Sequence, residues 1–446
     1  MFKRLSVGEK ASKNKQNYEK KRIPFVWCVQ AMGNGSYQMN TINNKEHNND
    51  KTISMVICAQ VAIMGCKNIL SQGVPIFYAN NDRLNQVLLI IIGFMYLFAF
   101  VKMATNRKSD GLKTRLETFI IWTFLILSFV FTYIIFPQNT SSINTWIMKT
   151  IPYCFITCIF ITKLNTLEWI VFYMTKLSYL IILTSIVSAV FIRSIGHTTI
   201  GVSYSMPLSY ATLTGVMWCL YAYFVDKNIR AGVFAAIGSI VILLFGARNP
   251  LLAIVFYIAI EMVRRINDKQ VSSWSKLISI CFSVLALILV LNWRTSLLMV
   301  SSITQKMGIT SRSIQLLLTN ASFSSGRDVI HADVLSEINK SPLIGLGIGG
   351  DVTSVGESSH GLFLSILSSY GYVVGVIVIA YIIVLCLRAL IKATAKHDKD
   401  VVLLYMCMVF PRAFVGGDIW NNDVFWWMLG ICLVITSSSF IFSRES

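Results

Sequence analysis

The stretch GLFLSILSSYGYVVGVIVIAYIIVLCL, residues 361–387, carries no charged side chain. At about 1.5 Å of rise per residue a helix of this length exceeds the ~30 Å hydrocarbon core of a bilayer, so it reads as a membrane-crossing helix. Outward from it, apolar runs recur at about 53–70, 86–104, 117–136, 146–162, 168–192, 206–225, 231–246, 249–263, 277–293, 401–415 and 423–443. With residues 361–387 they make twelve. The first is interrupted by Gln60 and Lys67, the seventh and eighth meet at Gly246-Ala247-Arg248-Asn249-Pro250, and Pro411 breaks the eleventh. The 446 residues are 55% hydrophobic and 13% charged, with mean hydropathy +0.63. A water-soluble chain carries about 25% charged residues, so an ordinary soluble enzyme is excluded. The predicted fold class is all-α, a polytopic integral membrane protein with about twelve transmembrane helices and one large extracytoplasmic loop.

Charge sets the orientation. The 39 Lys and Arg outnumber 21 Asp and Glu, a net charge of +18. In membrane proteins this excess gathers in short cytoplasmic loops and needs no nucleic acid to explain it. Residues 1–51 form a Lys- and Asn-rich tail, too polar and too long for a cleaved signal peptide, which reads as a disordered cytoplasmic arm. With that tail inside, Lys102, Arg107, Lys108, Lys113 and Arg115 fall inside. So do Lys227, Arg230, the cluster Arg264 to Lys276, Arg388, Lys392, Lys396, Lys399 and Arg444. The opposite loop Pro137 to Thr145 has no charge at all. Both termini are therefore expected in the cytoplasm, with helices one to nine in 52–293, the loop in 294–360 and three helices in 361–446. The ten cysteines form no CxxC pair and nearly all lie in apolar runs, so neither a disulfide framework nor zinc is expected.

The loop is where chemistry is expected. Residues Ser301 to Ser325 are Ser-rich and apolar-interrupted, as for a segment lying along a membrane surface. Arg327 to Asn339 has helical spacing with Val329, Ile330, Val334, Leu335 and Ile338 on one face, ended by Ser341-Pro342. Then come Pro342-Leu343-Ile344-Gly345-Leu346-Gly347-Ile348-Gly349-Gly350-Asp351 and Ser359-His360-Gly361-Leu362-Phe363. No buried strand precedes the glycines, which excludes a dinucleotide-binding turn. Gly345 and Gly347 serve either a plain tight turn or backbone N–H groups facing an anion.

In these motifs the chain resembles the bacterial O-antigen polymerase and O-antigen ligase superfamily of multispanning glycosyltransferases. The resemblance rests on Gly326-Arg327, the Pro342 to Gly347 turn, Ser359-His360-Gly361-Leu362-Phe363 opening a helix, and Tyr370-Gly371-Tyr372-Val373-Val374-Gly375. Gly246-Ala247-Arg248-Asn249-Pro250 is similar to a family motif at an outer helix end, and Arg193-Ser194-Ile195-Gly196 with Ser205-Met206-Pro207 is a weaker echo. Gly361 stands where the family most often has Asn, and Asn249 where it usually has Gly. The likeness covers about residues 190–390; the N-terminal half agrees in hydropathy alone.

The resemblance implies a C-type glycosyltransferase-like fold and transfer of a glycan from undecaprenyl diphosphate at the outer face of the bacterial cytoplasmic membrane, with inversion and without metal or other cofactor. A departing diphosphate gathers negative charge, which guanidinium groups neutralise bidentately. Arg248, Arg327 and Arg193 are the candidates to bind it, with Arg294, Arg312 and Arg412 behind them. Each competes with a plainer role: a snorkelling helix-end charge for Arg248, a surface pair with Asp328 for Arg327. His360 is the candidate catalytic group, taking the proton of the incoming sugar hydroxyl or orienting it, or else an ordinary interfacial histidine. Asp328, Asp351 and Glu357 are alternative bases, and His197 and His331 also lie outside. Asp333 and Glu337 lack a third clustered ligand for a metal, and neither HExxH nor a phosphate-binding GxxxxGK loop is present. Trp274, Trp293, Trp420, Trp426 and Trp427 fall at span ends and read first as interface anchors.

The expected activity is a polysaccharide polymerase for O-antigen, capsule or exopolysaccharide, passing the chain to the non-reducing end of a lipid-linked repeat unit, with a chain-length regulator as partner. An O-antigen ligase with a lipid A core acceptor is the near alternative. A lipid-linked oligosaccharide flippase would place its charges within the spans and keep its loops short. A shape-and-division type cell-wall polymerase would depend on an acidic loop residue in place of His360.

Overall fold

The computed structural model describes residues 44–105, 116–194, 206–245, 248–267, 327–393 and 395–438, with a few isolated positions between 273 and 318. Residues 1–43, almost all of the expected span 277–293 and most of the loop before Arg327 lie outside the described residues. The described residues form helices joined by turns and short irregular connections, with no strand among them. In chain order the helices are α1 (Asn44–Gly73), α2 (Pro75–Ala79), α3 (Asn81–Thr105), α4 (Leu116–Ile135), α5 (Thr140–Thr150), α6 (Ile156–Ile161), α7 (Glu168–Ser194), α8 (Met206–Phe224), α9 (Ile229–Phe245), α10 (Arg248–Asn267), α11 (Arg327–Lys340), α12 (Gly350–Val355), α13 (Leu362–Lys392), α14 (Lys396–Val415) and α15 (Asp423–Ser438). Among the described residues five helices are long and apolar enough to cross a membrane: Asn48–Gln72, Asn81–Thr105, Leu116–Ile135, Glu168–Ile192 and Leu362–Lys392. On α3 and α4 large apolar side chains such as Phe94 and Ile134 stand exposed. A lipid environment accounts for such a surface and water does not.

Polar residues inside the apolar runs are answered by neighbouring helices. Gln60 does not break α1, because its carbonyl accepts bonds from Tyr96 and from Thr157 Oγ1 (3.1 Å), and its amide donates to the Tyr153 carbonyl (3.2 Å). Pro411 sits inside α14, which continues to Val415 rather than ending there. Such a proline removes one N–H and is tolerated where neighbouring helices support the backbone. At Ile151–Phe155, which contains Pro152, the helical path widens into a π turn between α5 and α6.

Contacts sort the helix ends into two sets. At one end Lys102 of α3 reaches Thr52 of α1, Arg388 of α13 lies 3.4 Å from Glu117 of α4, and Lys392 donates to the Thr436 carbonyl of α15 (3.1 Å). There too Arg264 of α10 bridges Glu261 and Asp400, each at 2.6 Å. At the other end the segment 341–360 packs on the C-terminus of α4: Asn139 Nδ2 donates to Leu346 O (2.8 Å) and Ile348 N to Thr132 Oγ1 (3.2 Å).

Two expectations need correcting. Trp420, Trp426 and Trp427 are buried rather than interfacial. The segment between α14 and α15 folds inward, where Trp426 Nε1 donates to Ile419 O (2.9 Å) and Trp420 Nε1 to Ser369 Oγ (3.4 Å). The apolar face of α11 is also narrower than its spacing suggests. Val334 and Ile338 are buried, but Val329 and Leu335 are exposed among the described residues.

Candidate functional site

The Pro342 to Gly350 segment is a chain of turns in which Gly345, Gly347 and Gly349 all have positive φ. It is stapled to a break in α13. Leu346 N donates to Ser368 O (2.7 Å) and Tyr372 N to Pro342 O (2.8 Å), around Gly371 at φ +74, ψ −179. Only glycine readily adopts that conformation. A Cβ on Gly345 would lie 2.4 Å from Gly371 N, so the two backbones meet with no room for side chains. Gly345 and Gly347 lie in these turns, which pack on α13.

Beyond the turns α12 carries Asp351, whose buried carboxylate accepts the Ser359 N–H at 2.8 Å. Burial pushes this carboxyl above its ordinary range despite that bond. Ser359 leads into His360, which has φ +49, a left-handed conformation that a non-glycine residue holds at a cost of about 1–3 kcal/mol. Immediately after it Gly361 packs against the Ala413 and Phe414 carbonyls at the end of α14. The His360 ring is half-buried. Burial first, and then the Arg327 guanidinium at the start of α11, hold it below its ordinary value, against Glu357 and Asp418. His331, one turn along α11, also bears on His360, and its own Nε2 is buried without a hydrogen-bond partner among the described residues.

The Arg327 guanidinium thus bears electrostatically on His360. Arg248 is the first residue of α10 and Arg193 is near the end of α7, but both side chains lie outside the described residues. Next to Arg248, Asn249 donates to Tyr210 Oη at 3.2 Å, and a Cβ on Gly416 would touch both. The start of α10 therefore abuts the segment after α14 that carries Asp418.

Two residues given little or no weight in the sequence prove central to this end of the molecule. Arg412 is buried, donates to Asn422 Oδ1 at 2.9 Å, lies 3.8 Å from Asp423 and stacks 4.0 Å from the Tyr210 ring centre. Asp418 is buried and accepts from Ser358 Oγ (3.3 Å), Asn421 N (2.6 Å) and Asn421 Nδ2 (3.0 Å). The usable signal was a guanidinium inside an apolar run, which is rare without a function or a partner.

Beneath the docked turns an apolar groove of about 390 Å³ runs between α4 and α13, past Phe124, Tyr370, Val374 and Ile377. No three His, Cys, Asp or Glu side chains cluster as metal ligands among the described residues. The eight described cysteines are free, as thiols packed among apolar side chains would be. Comparison of the chain with protein families, with curated proteins and with solved structures finds no match in any of the three.

Proposed function

We propose that the chain is a polysaccharide polymerase of the bacterial cytoplasmic membrane, an inverting glycosyltransferase with about twelve spans and both termini inside. The observation that carries the reading is His360, held in a left-handed backbone conformation where the loop re-enters the helices and under the influence of the Arg327 guanidinium. Strained residues of this kind gather at functional sites. A ring kept neutral by its surroundings is able to accept a proton. The gathering of Lys102, Arg264, Arg388 and Lys392 at the opposite end supports an outward-facing loop.

In the proposed reaction a hydroxyl of the acceptor sugar attacks the anomeric carbon of the glycan on undecaprenyl diphosphate. The bond from that carbon to the phosphate oxygen breaks, and the hydroxyl proton passes to His360. Arg327, with Arg248 and Arg193, stabilises the diphosphate as it departs, and the groove between α4 and α13 offers an apolar bed for an isoprenoid chain. The test is surface polymer resolved by length in cells whose only copy is Arg327→Ala or His360→Ala. Polymer is lost in both while each protein stays in the membrane at the wild-type level. A wild-type length distribution from both variants refutes the reading.

A further inference from the structure

A cavity of about 850 Å³ lies between α1, α3, α8 and the segment joining α14 to α15, beside the His360 cluster but without His360 in its wall. Its volume is that of a small-molecule site. We propose that it is a saccharide-binding site. Among the described residues that line it the charges balance, with the cations Lys67 and Arg412 against the carboxylates Asp82 and Asp423, a lining better matched to a neutral ligand than to a dianion such as a diphosphate. Uncharged amides make up much of the remaining polar lining, with Asn68, Asn85 and Gln86 on one side and Asn421 on another. Amides and carboxylates together offer the mixture of donors and acceptors that a ring of hydroxyl groups needs.

Tyr153, Tyr210 and Trp427 also line it, aromatic surface of the kind that packs against the apolar C–H side of a sugar. Five of these lining residues carry a buried polar atom without a partner among the described residues: Thr150 Oγ1, Tyr153 Oη, Arg412 Nε, Asn422 Nδ2 and Trp427 Nε1. Unanswered polar atoms are rare in folded proteins, and their concentration around one cavity points to a ligand that answers them after small side-chain turns. The proposed function is needed only to identify the saccharide as the acceptor; the site itself stands on the cavity.

The experiment uses the full chain in lipid nanodiscs, free of glycosidic detergent. The probes are methyl glycosides of glucose, galactose, N-acetylglucosamine, N-acetylgalactosamine, rhamnose and glucuronic acid, read by saturation-transfer NMR without turnover. At least one binds saturably at millimolar concentration. Tyr153→Phe and Thr150→Val, which delete only a hydroxyl or replace it with a methyl, each weaken that binding at least about threefold and leave thermal stability equal or higher. Ala211→Trp fills the cavity and abolishes binding. Failure of every glycoside, binding indifferent to all three variants, or saturable binding of inorganic pyrophosphate in their place overturns the proposal. Saccharide binding by a chain that makes no polymer sinks the polymerase reading and keeps this one.

Discussion

Replacing Gly371 with alanine tests whether the loop is held to α13 as described. At φ +74, ψ −179 a Cβ brings conformational strain of about 1–3 kcal/mol. The added atom would also lie 2.6 Å from both the carbon and oxygen of the Leu343 carbonyl and 2.7 Å from Pro342 O. These are backbone atoms, and Pro342 O cannot retreat without losing the Tyr372 N–H bond at 2.8 Å. Overpacking of this kind costs about 1–3 kcal/mol and the lost bond about 1 kcal/mol, for a total with the strain of roughly 3–7 kcal/mol. Two glycines serve as controls. Gly93 in α3 has open space at its Cβ position, so Gly93→Ala is neutral or stabilising by up to about 1 kcal/mol. Gly356 has φ +86 but no atom within 4 Å, so Gly356→Ala suffers the strain without the clash, about 1–2 kcal/mol. Thermal unfolding in nanodiscs at one fixed scan rate should rank the apparent Tm values Gly93→Ala, then Gly356→Ala, then Gly371→Ala, the last roughly 3–7 °C below the parent. Gly371→Ala melting together with Gly93→Ala refutes the docking argument.

Removing the imidazole in His360→Ala should lower the transfer rate about 10²- to 10⁴-fold with little change in lipid-donor affinity, measured by single-turnover kinetics; a loss confined to affinity counts against proton transfer. Because burial and Arg327 hold His360 below its ordinary value, the native state favours the neutral ring. Its stabilising contribution is complete above the unfolded value and is lost as pH falls through the depressed one. Arg327→Gln raises that value, so the acid limb of a pH profile of residual transfer moves to higher pH, and an unmoved limb contradicts the coupling. At the basic end, Arg264→Ala strands the buried Asp400 carboxylate and should cost about 3 kcal/mol, whereas Arg264→Leu with Asp400→Leu costs less; equal thermal shifts for the two refute the ion-pair account. Transfer should persist in EDTA, and a loss restored by magnesium or manganese overturns the metal-free mechanism.

Much of the helical layout was open to reading in the linear pattern, because a bilayer demands long apolar runs and each run reports on itself. The uncharged stretch ending at Leu387 became α13, and the Arg327 to Lys340 helix stops before Ser341-Pro342 as its spacing indicates. The glycines at 345 and 347 announced a turn in the same local way, since positive φ is a property of single residues. What the chain alone could not determine was which residues meet. Gln60 sits inside a helix where Tyr96, Thr157 and the Tyr153 carbonyl answer it, Arg412 meets Asn422, Asp423 and Tyr210, and the buried Trp426 donates its N–H to Ile419 O. The cavity walled by α1, α3, α8 and the segment after α14 has no counterpart in any one motif. Hydrophobic periodicity is written along one dimension and sets where helices begin and end. Hydrogen bonds and charge contacts between distant positions depend on how those helices rotate against one another, and packing in three dimensions alone decides that.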